Sequence, residues 1–376
     1  MINKERLVKR FIKYVKVDSP SKKEAKFMKL IKKELSAMGV RSVEDNAGKH
    51  IGGDSGNLYA FVKGGSKGAP RILLNAHIDT VMPGTDIKPR SRKGKITSDG
   101  TTILGADDKA GVAVTMEIIK TLKERKLEHG DIDVIFTVAE EIGISGSKFI
   151  NKKFLKADFG YVLDGGDVDR IINEAPSQDS IEVKITGRAA HAGVHPEQGV
   201  NAIKVASAAI SKMKLGRIDR ETTANIGIIE GGVATNIVPE TVTMKGEARS
   251  RDIRKLRRQI AHMRRVLHGA CARYGARLSY KVTPSYRAFE VPTDHKALAI
   301  ARRAAKSIGL RPRTEATGGG SDANIFASYG LPCLIIGVGA DSVHTKKENI
   351  AVSDLVTGAQ LLLSIIKESI CCSKKR

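Results

Sequence analysis

A chain of 376 residues that is 41% hydrophobic can bury one large core or divide into two domains, and it holds no apolar run of membrane-spanning length, so a soluble protein is expected. Its formal net charge of +23, from 64 Lys and Arg against 41 Asp and Glu, would draw in polyanions and anionic substrates, yet aromatic residues make up 4% and do not interleave with the basic ones, which argues against a nucleic-acid groove. Cys271, Cys333, Cys371 and Cys372 show no C-x-x-C spacing, which argues against a thiolate zinc site and a disulfide framework and points to a reducing, cytoplasmic setting.

In chain order, residues 1–15 are charged throughout with Leu7, Phe11 and Val15 at helical spacing, which predicts an amphipathic helix rather than a cleaved export signal. Ser19-Pro20 breaks it, and Ser21 with Glu24 predicts a capping box for a second helix that runs to Met38 and stops at Gly39. The period then falls to two. Segments 57–62 and 71–76 predict strands either side of a turn-rich stretch, and 81–100, polar and bearing Gly and Pro, predicts an irregular excursion. Helix 110–122 and strands 132–138 and 160–163 follow. Strand alternating with helix predicts an α/β fold, a mostly parallel sheet with helices on both faces.

Around residues 177–180 the character shifts. Strand 181–186, helix 201–213, strands 224–229 and 240–248, a basic helix within 251–273 and strand 278–282 predict an α+β sandwich inserted over 179–286. In the basic helix, Arg254, Lys255, Arg257, Arg258, Arg264 and Arg265 accompany an apolar stripe of Ile253, Leu256, Ile260, Met263 and Leu267, the pattern of a surface helix packed on a core. The larger, outer domain is expected to comprise 1–178 and 287–376, resuming with helix 294–307, the glycine run 318–320 and strand 332–338.

Two adjacent carboxylates, Asp107 and Asp108, stand where a glycine-bearing loop feeds an apolar helix. An Asp in that place is ordinarily an N-cap. Charges at the ends of apolar strands change the reading. Strand alternation puts His77 and Asp79 on one face, so the carboxylate can hold the imidazole in one tautomer for a metal, although H-x-D alone is common by chance. Glu140 and Glu141 end another apolar strand, a costly place for charge unless a metal or partner compensates it. Adjacent strand residues point opposite ways, so one of the two could coordinate while the other faces the attacking water. Asp164 ends a further strand, with Gly165-Gly166 permitting a sharp turn; a turn-capping Asp is the plainer alternative. With His344, the set supplies five candidate metal ligands and two catalytic carboxylates. Hard oxygen combined with imidazole nitrogen suits zinc, cobalt or manganese, and a shared carboxylate would build a two-metal hydrolase.

Taken together, Asn75-Ala76-His77-Ile78-Asp79-Thr80, Gly105-Ala106-Asp107-Asp108-Lys109-Ala110-Gly111, Ala139-Glu140-Glu141-Ile142-Gly143, Leu163-Asp164-Gly165-Gly166, Gly187-Arg188-Ala189-Ala190-His191-Ala192-Gly193 and Val343-His344-Thr345 resemble the M20 metallopeptidase family, closest to its peptidase T-like branch, in order and over nearly the whole chain. The resemblance implies that His77, Asp107, Glu141, Asp164 and His344 hold two divalent ions, zinc or else cobalt or manganese, with Asp107 bridging them and the Asp107–Asp108 peptide cis. It makes Glu140 the general base and Asp79 the residue that orients His77. In the inserted domain it makes His191 a holder of the oxyanion, reaching across a homodimer, and Asn236 and Arg249 substrate contacts, Arg249 clamping a peptide carboxylate by its planar fork. Gly319 and Ser321 resemble a substrate-contacting loop, though ordinary helix capping by Ser321 or Asp322 explains them nearly as well. His195, His262 and His268 are left as surface residues. The implied reaction is release of the N-terminal residue from a tripeptide. A dipeptide, a carboxypeptidase substrate or an N-acyl amino acid is the alternative, and a metal-free, basic nucleic-acid-binding protein is the rival of another class.

Overall fold

Residues 1–371 are described by the structure, a computed structural model; Cys372 lies outside them. The chain divides into two compact units. Unit 1 takes Met1–Glu174, Glu290–Thr317 and the chain from Ser321 onwards, and unit 2 takes Ala175–Phe289 with Gly318–Gly320.

Unit 1 is organised on a mixed sheet in which Leu58–Val62, Ile132–Thr137, Ile72–His77, Phe159–Gly165 and Cys333–Gly337 lie side by side in that order. Leu58–Val62 is antiparallel to its neighbour, and the other four strands are mutually parallel. Every residue of Ile72–His77 and of Ile132–Thr137 is buried, the near-continuous apolar run expected of parallel strands covered on both faces. Helix Ala106–Glu124 packs on Ile72–His77 and Phe159–Gly165 and also against helices Lys4–Val15 and Val352–Cys371. Burial almost all round is why its sequence lacks a polar face. Leu7, Phe11, Tyr14 and Val15 form the buried stripe of the first helix.

Three local expectations are corrected. The second helix spans Ala25–Ala37 and has no capping box: the Ser21 hydroxyl donates to Asp79 Oδ2 at 2.7 Å, and Glu24 accepts from the Lys22 and Ala139 amides at 2.9 and 3.1 Å. The excursion 81–100 is not irregular throughout. Arg90–Arg92 and Lys95–Thr97 form a hairpin that joins Ala340–Asp341 and Asn349–Ala351 in a small sheet. Lys93 and Gly94, both at positive φ, make the tight turn that flanking polar residues disguised. Finally, strand Ile132–Thr137 stops short of Glu140 and Glu141, because Ala139 turns the chain at φ +52°.

Unit 2 is an antiparallel sheet in the order Gly216–Arg217, Thr222–Gly231, Thr241–Ser250, Ser177–Thr186 and Arg277–Tyr286. Its inner face alternates along Ser177–Thr186, where Ile181, Val183 and Ile185 point into a core shared with Val205, Leu256, Met263 and Leu267. The last three lie on helix Ile253–Tyr274, whose Arg254, Arg257, Arg258, Arg264 and Arg265 are exposed. Among the described residues no helix is long and apolar enough to cross a membrane.

Candidate metal centre

The strand ends of unit 1 and two loops converge on one cluster. His77, the last residue of Ile72–His77, is 2% exposed, with Nδ1 3.3 Å from Asp79 Oδ1 and Nε2 3.0 Å from Asp107 Oδ1 and 3.9 Å from Asp164 Oδ1. The other oxygen of Asp107 lies 3.3 Å from His344 Nε2, and the same nitrogen is 2.9 Å from Glu141 Oε2. Each oxygen of Asp107 therefore faces a different imidazole, with Asp164 on the His77 side and Glu141 on the His344 side. His77, Asp107 and Glu141 each offer an atom able to ligate a metal, and these atoms all fall within 4.8 Å of one another.

Backbone departures from regular structure deliver these side chains. Gly105 precedes helix Ala106–Glu124 at φ +73°, and Asp107 and Asp108 have non-helical dihedrals with a cis peptide bond between them. Asp108 is buried and does two jobs: one oxygen accepts the amide of Gly111, three residues on, at 3.1 Å, the bond of an N-cap, and the other accepts the amide of His77 at 3.2 Å. Close packing of the helix on the strand bearing Asp164 needs Gly111: a Cβ there would sit 2.4 Å from Asp108 Oδ1 and 2.7 Å from the Leu163 carbonyl. Beyond Ala139, the amides of Glu140 and Glu141 both donate to the Asp79 carboxylate, at 2.9 and 3.2 Å. Asp79, fully buried, thus holds His77 on one side and the Glu140–Glu141 turn on the other. His344, at φ +61°, sits in the loop between Ala340–Asp341 and Asn349–Ala351.

The electrostatics are lopsided. Although the protein carries a large basic excess, none of Asp107, Asp164, Glu140 and Glu141 has a Lys or Arg ion-pair partner among the described residues; only the two imidazoles face them. Burial pushes the carboxyls of Glu140 and Asp164 well above the usual carboxylate range, and that of Glu141 upward. Burial opposes ionisation of Asp107 as well, but His344 and His77 hold it far below that range. Asp107 and Glu141 in turn raise His344 to about 10. Carboxylates without Lys or Arg partners, hard oxygens mixed with imidazole nitrogens and no thiolate in the cluster fit divalent cations of the zinc, cobalt or manganese kind.

Four of the remaining candidates belong to unit 2 and one, Ser321, to unit 1. In unit 2, His191 is exposed and bridges to Ile237, beside Asn236, which is also exposed. Arg249 directs Nε and Nη2 to the two oxygens of Glu247, at 2.8 and 3.0 Å, and Nη1 to the Gly318 carbonyl at 3.4 Å, next to Gly319. Ser321, in unit 1, is 2% exposed and caps helix Asp322–Ser328 in a capping box with Asn324. Sequence reasoning missed Glu24, read as a helix cap, and Glu348, a buried carboxylate four residues after His344 that accepts three backbone amides before and within the Asp107 turn. A Glu following an S-P-S segment was the available sign for the first; nothing in the sequence marked the second.

Residues 73–368 match peptidase family M20/M25/M40. The chain is 43% identical to the uncharacterised protein YqjE of Bacillus subtilis, over 98% of this chain and 100% of that one. A solved tripeptidase from Staphylococcus aureus superposes with a TM-score of 0.94 at 40% identity, over 99% of this chain and 100% of that one, and the aminopeptidase PepT from Bacillus cereus with 0.89 at 43%, over 98% and 99%. The chain accordingly is a metallopeptidase and belongs to peptidase family M20/M25/M40.

Proposed function

We propose that this protein hydrolyses the first peptide bond of short peptides, tripeptides foremost, with two divalent metal ions, zinc by preference. The observation that carries the reading is the Asp107 carboxylate, each of whose oxygens faces a separate imidazole, with a second carboxylate near each imidazole, Asp164 at His77 and Glu141 at His344. His77, Asp107 and Asp164 would hold one ion and Asp107, Glu141 and His344 the other. When bound, such ions supply Lewis acidity to the scissile carbonyl and to the attacking water. Tripeptide specificity is supported by the tripeptidase and aminopeptidase neighbours at 40% and 43% identity.

The chain's own residues divide the remaining work. Glu140 is 9% exposed and its carboxyl has a raised proton affinity, so it is suited to take a proton from water and return it to the departing amine. Asp79 keeps His77 in one orientation through Nδ1 and fixes the Glu140 backbone. His191, Asn236, Arg249, Gly319 and Ser321 complete the proposal as substrate contacts. For Arg249, clamping a peptide carboxylate would compete with its pairing to Glu247, and for Ser321 with its capping bond. Homodimerisation through unit 2 belongs to the same reading; exposed Ile228 and Ile229 on strand Thr222–Gly231 support it.

A substrate panel tests the reaction. Tripeptides should lose their N-terminal residue in a chelator-sensitive manner, with divalent ions retained by the dialysed protein. Intact tripeptides alongside cleaved N-acyl amino acids would reject the aminopeptidase assignment.

A further inference from the structure

Glu348 is 1% exposed and takes no Lys or Arg partner among the described residues; backbone meets its carboxylate instead. Oε2 accepts from the amides of Leu104 and Gly105, both at 2.7 Å, and Oε1 from the amide of Asp107 at 3.0 Å. These three donors lie on the turn that leads into Asp107, where Gly105 is left-handed and Asp107 non-helical. Such a departure leaves amides that no helix or strand ladder satisfies. A residue 241 positions away satisfies them.

Glu348 is also anchored at its own end. Its amide donates to the Thr345 carbonyl at 3.0 Å, closing the loop that carries His344, and Asn349 then enters the pairing with Asp341. One side chain therefore ties the turn of Asp107 to the loop of His344, and Asp107 Oδ2 lies 3.3 Å from His344 Nε2. A charged acceptor on backbone amides makes stronger hydrogen bonds than a neutral one. The Asp107 amide is attached to the Cα that carries its carboxylate, so whatever fixes that amide fixes the side chain's origin.

We propose that Glu348 is a positioning residue that sets the spacing between Asp107 and His344, an inference that rests on the metal reading given above. A merely structural role, in which Glu348 only fills three amides, would lower stability without changing how tightly ions are held.

The test is Zn(II) competition against a chromophoric chelator, run on the full-length wild type, Glu348→Gln and Ile366→Val, with unfolding temperatures of the metal-free proteins and kcat and KM for a tripeptide. Glu348→Gln keeps the shape but offers one oxygen to three amides and turns an NH2 toward at least one of them. Zn(II) affinity should fall about 10- to 100-fold, with kcat reduced and KM little changed, whereas Ile366→Val, which loosens the core of the same unit, should keep its affinity. Affinity of Glu348→Gln within about twofold of wild type, or a loss matched by Ile366→Val at equal unfolding temperature, overturns the proposal. Should Glu348→Gln fail to fold, Glu348→Asp, which keeps the charge and shortens the reach, takes its place in the same competition with the same expected loss and the same overturning result, and amide hydrogen exchange of the metal-free wild type adds a check: Leu104, Gly105 and Asp107 should be protected, and free exchange there overturns the proposal. A wild type that takes up no Zn(II) sinks the metal reading instead, and exchange at those amides reports separately on whether Glu348 holds the turn.

Discussion

Ala139 occupies a left-handed conformation that non-glycine residues adopt sparingly, and two buried carboxylates hold the turn around it. Glu24 takes the Ala139 amide, and Asp79 takes the next two. If Glu140 is the general base so presented, Glu140→Gln should retain its metal content while kcat falls roughly 10²-fold or more. Near-normal kcat, with metal content measured in the same samples, would remove it from that role. Glu24 adds a pH dependence. Burial, with Asp79 nearby, raises its carboxyl from 4.5 to about 7, and its Oε2 has no hydrogen-bond partner. A raised value means that the folded state binds the proton more tightly, so this contribution to stability is full below the unfolded value of 4.5 and is lost as pH rises through about 7. Glu24→Gln cannot ionise. The unfolding temperature of the metal-free variant should therefore gain on the wild type between pH 5 and pH 8, and parallel curves would refute the assignment.

At the scale of elements, Gly111 shows how a helix and a strand are brought close enough to share a site. Gly→Ala in a helix interior ordinarily stabilises by about 1 kcal/mol. Here the added Cβ would meet the Asp108 carboxylate and the Leu163 carbonyl, so the sign should reverse. Gly111→Ala is expected to cost about 1–3 kcal/mol in denaturant unfolding and to lower metal retention, since the helix cannot retreat without moving Asp107 relative to Asp164. A stabilised variant would show that the helix has room to spare. The Ser21 and Glu24 pair teaches the complementary lesson. Its spacing matches a capping box, yet those side chains serve Asp79 and Ala139, because strand ends left buried amides and a buried carboxylate that needed partners more than a solvent-accessible helix start did.

Across the whole molecule, unit 2 has its own sheet, the α-helices Ala202–Ile210 and Ile253–Tyr274 and an apolar core of its own, and all but three of its residues are continuous in the chain. Residues 175–289 expressed alone should therefore melt cooperatively by circular dichroism; a featureless melt would tie its folding to unit 1. The α/β class was legible from the switch between periods of two and 3.6, because burial imposes those periods on the side chains directly. Charges at the ends of apolar runs drew attention to His77, Asp79, Glu140, Glu141 and Asp164, and a paired carboxylate at a helix mouth to Asp107; a cap or a turn could explain several of them singly, and it was their combination that pointed to a site, where the structure gathers His77, Asp107, Asp164, Glu141 and His344 into one cluster. The sequence by itself thus determined the period of each main element and the chemical types available to a site. Only tertiary structure decided which carboxylates would face an imidazole and which, like Glu24 and Glu348, would spend themselves on backbone amides. Every residue but proline offers the same N–H, so that choice leaves no pattern in the side chains and is settled by the packing that brings distant segments together.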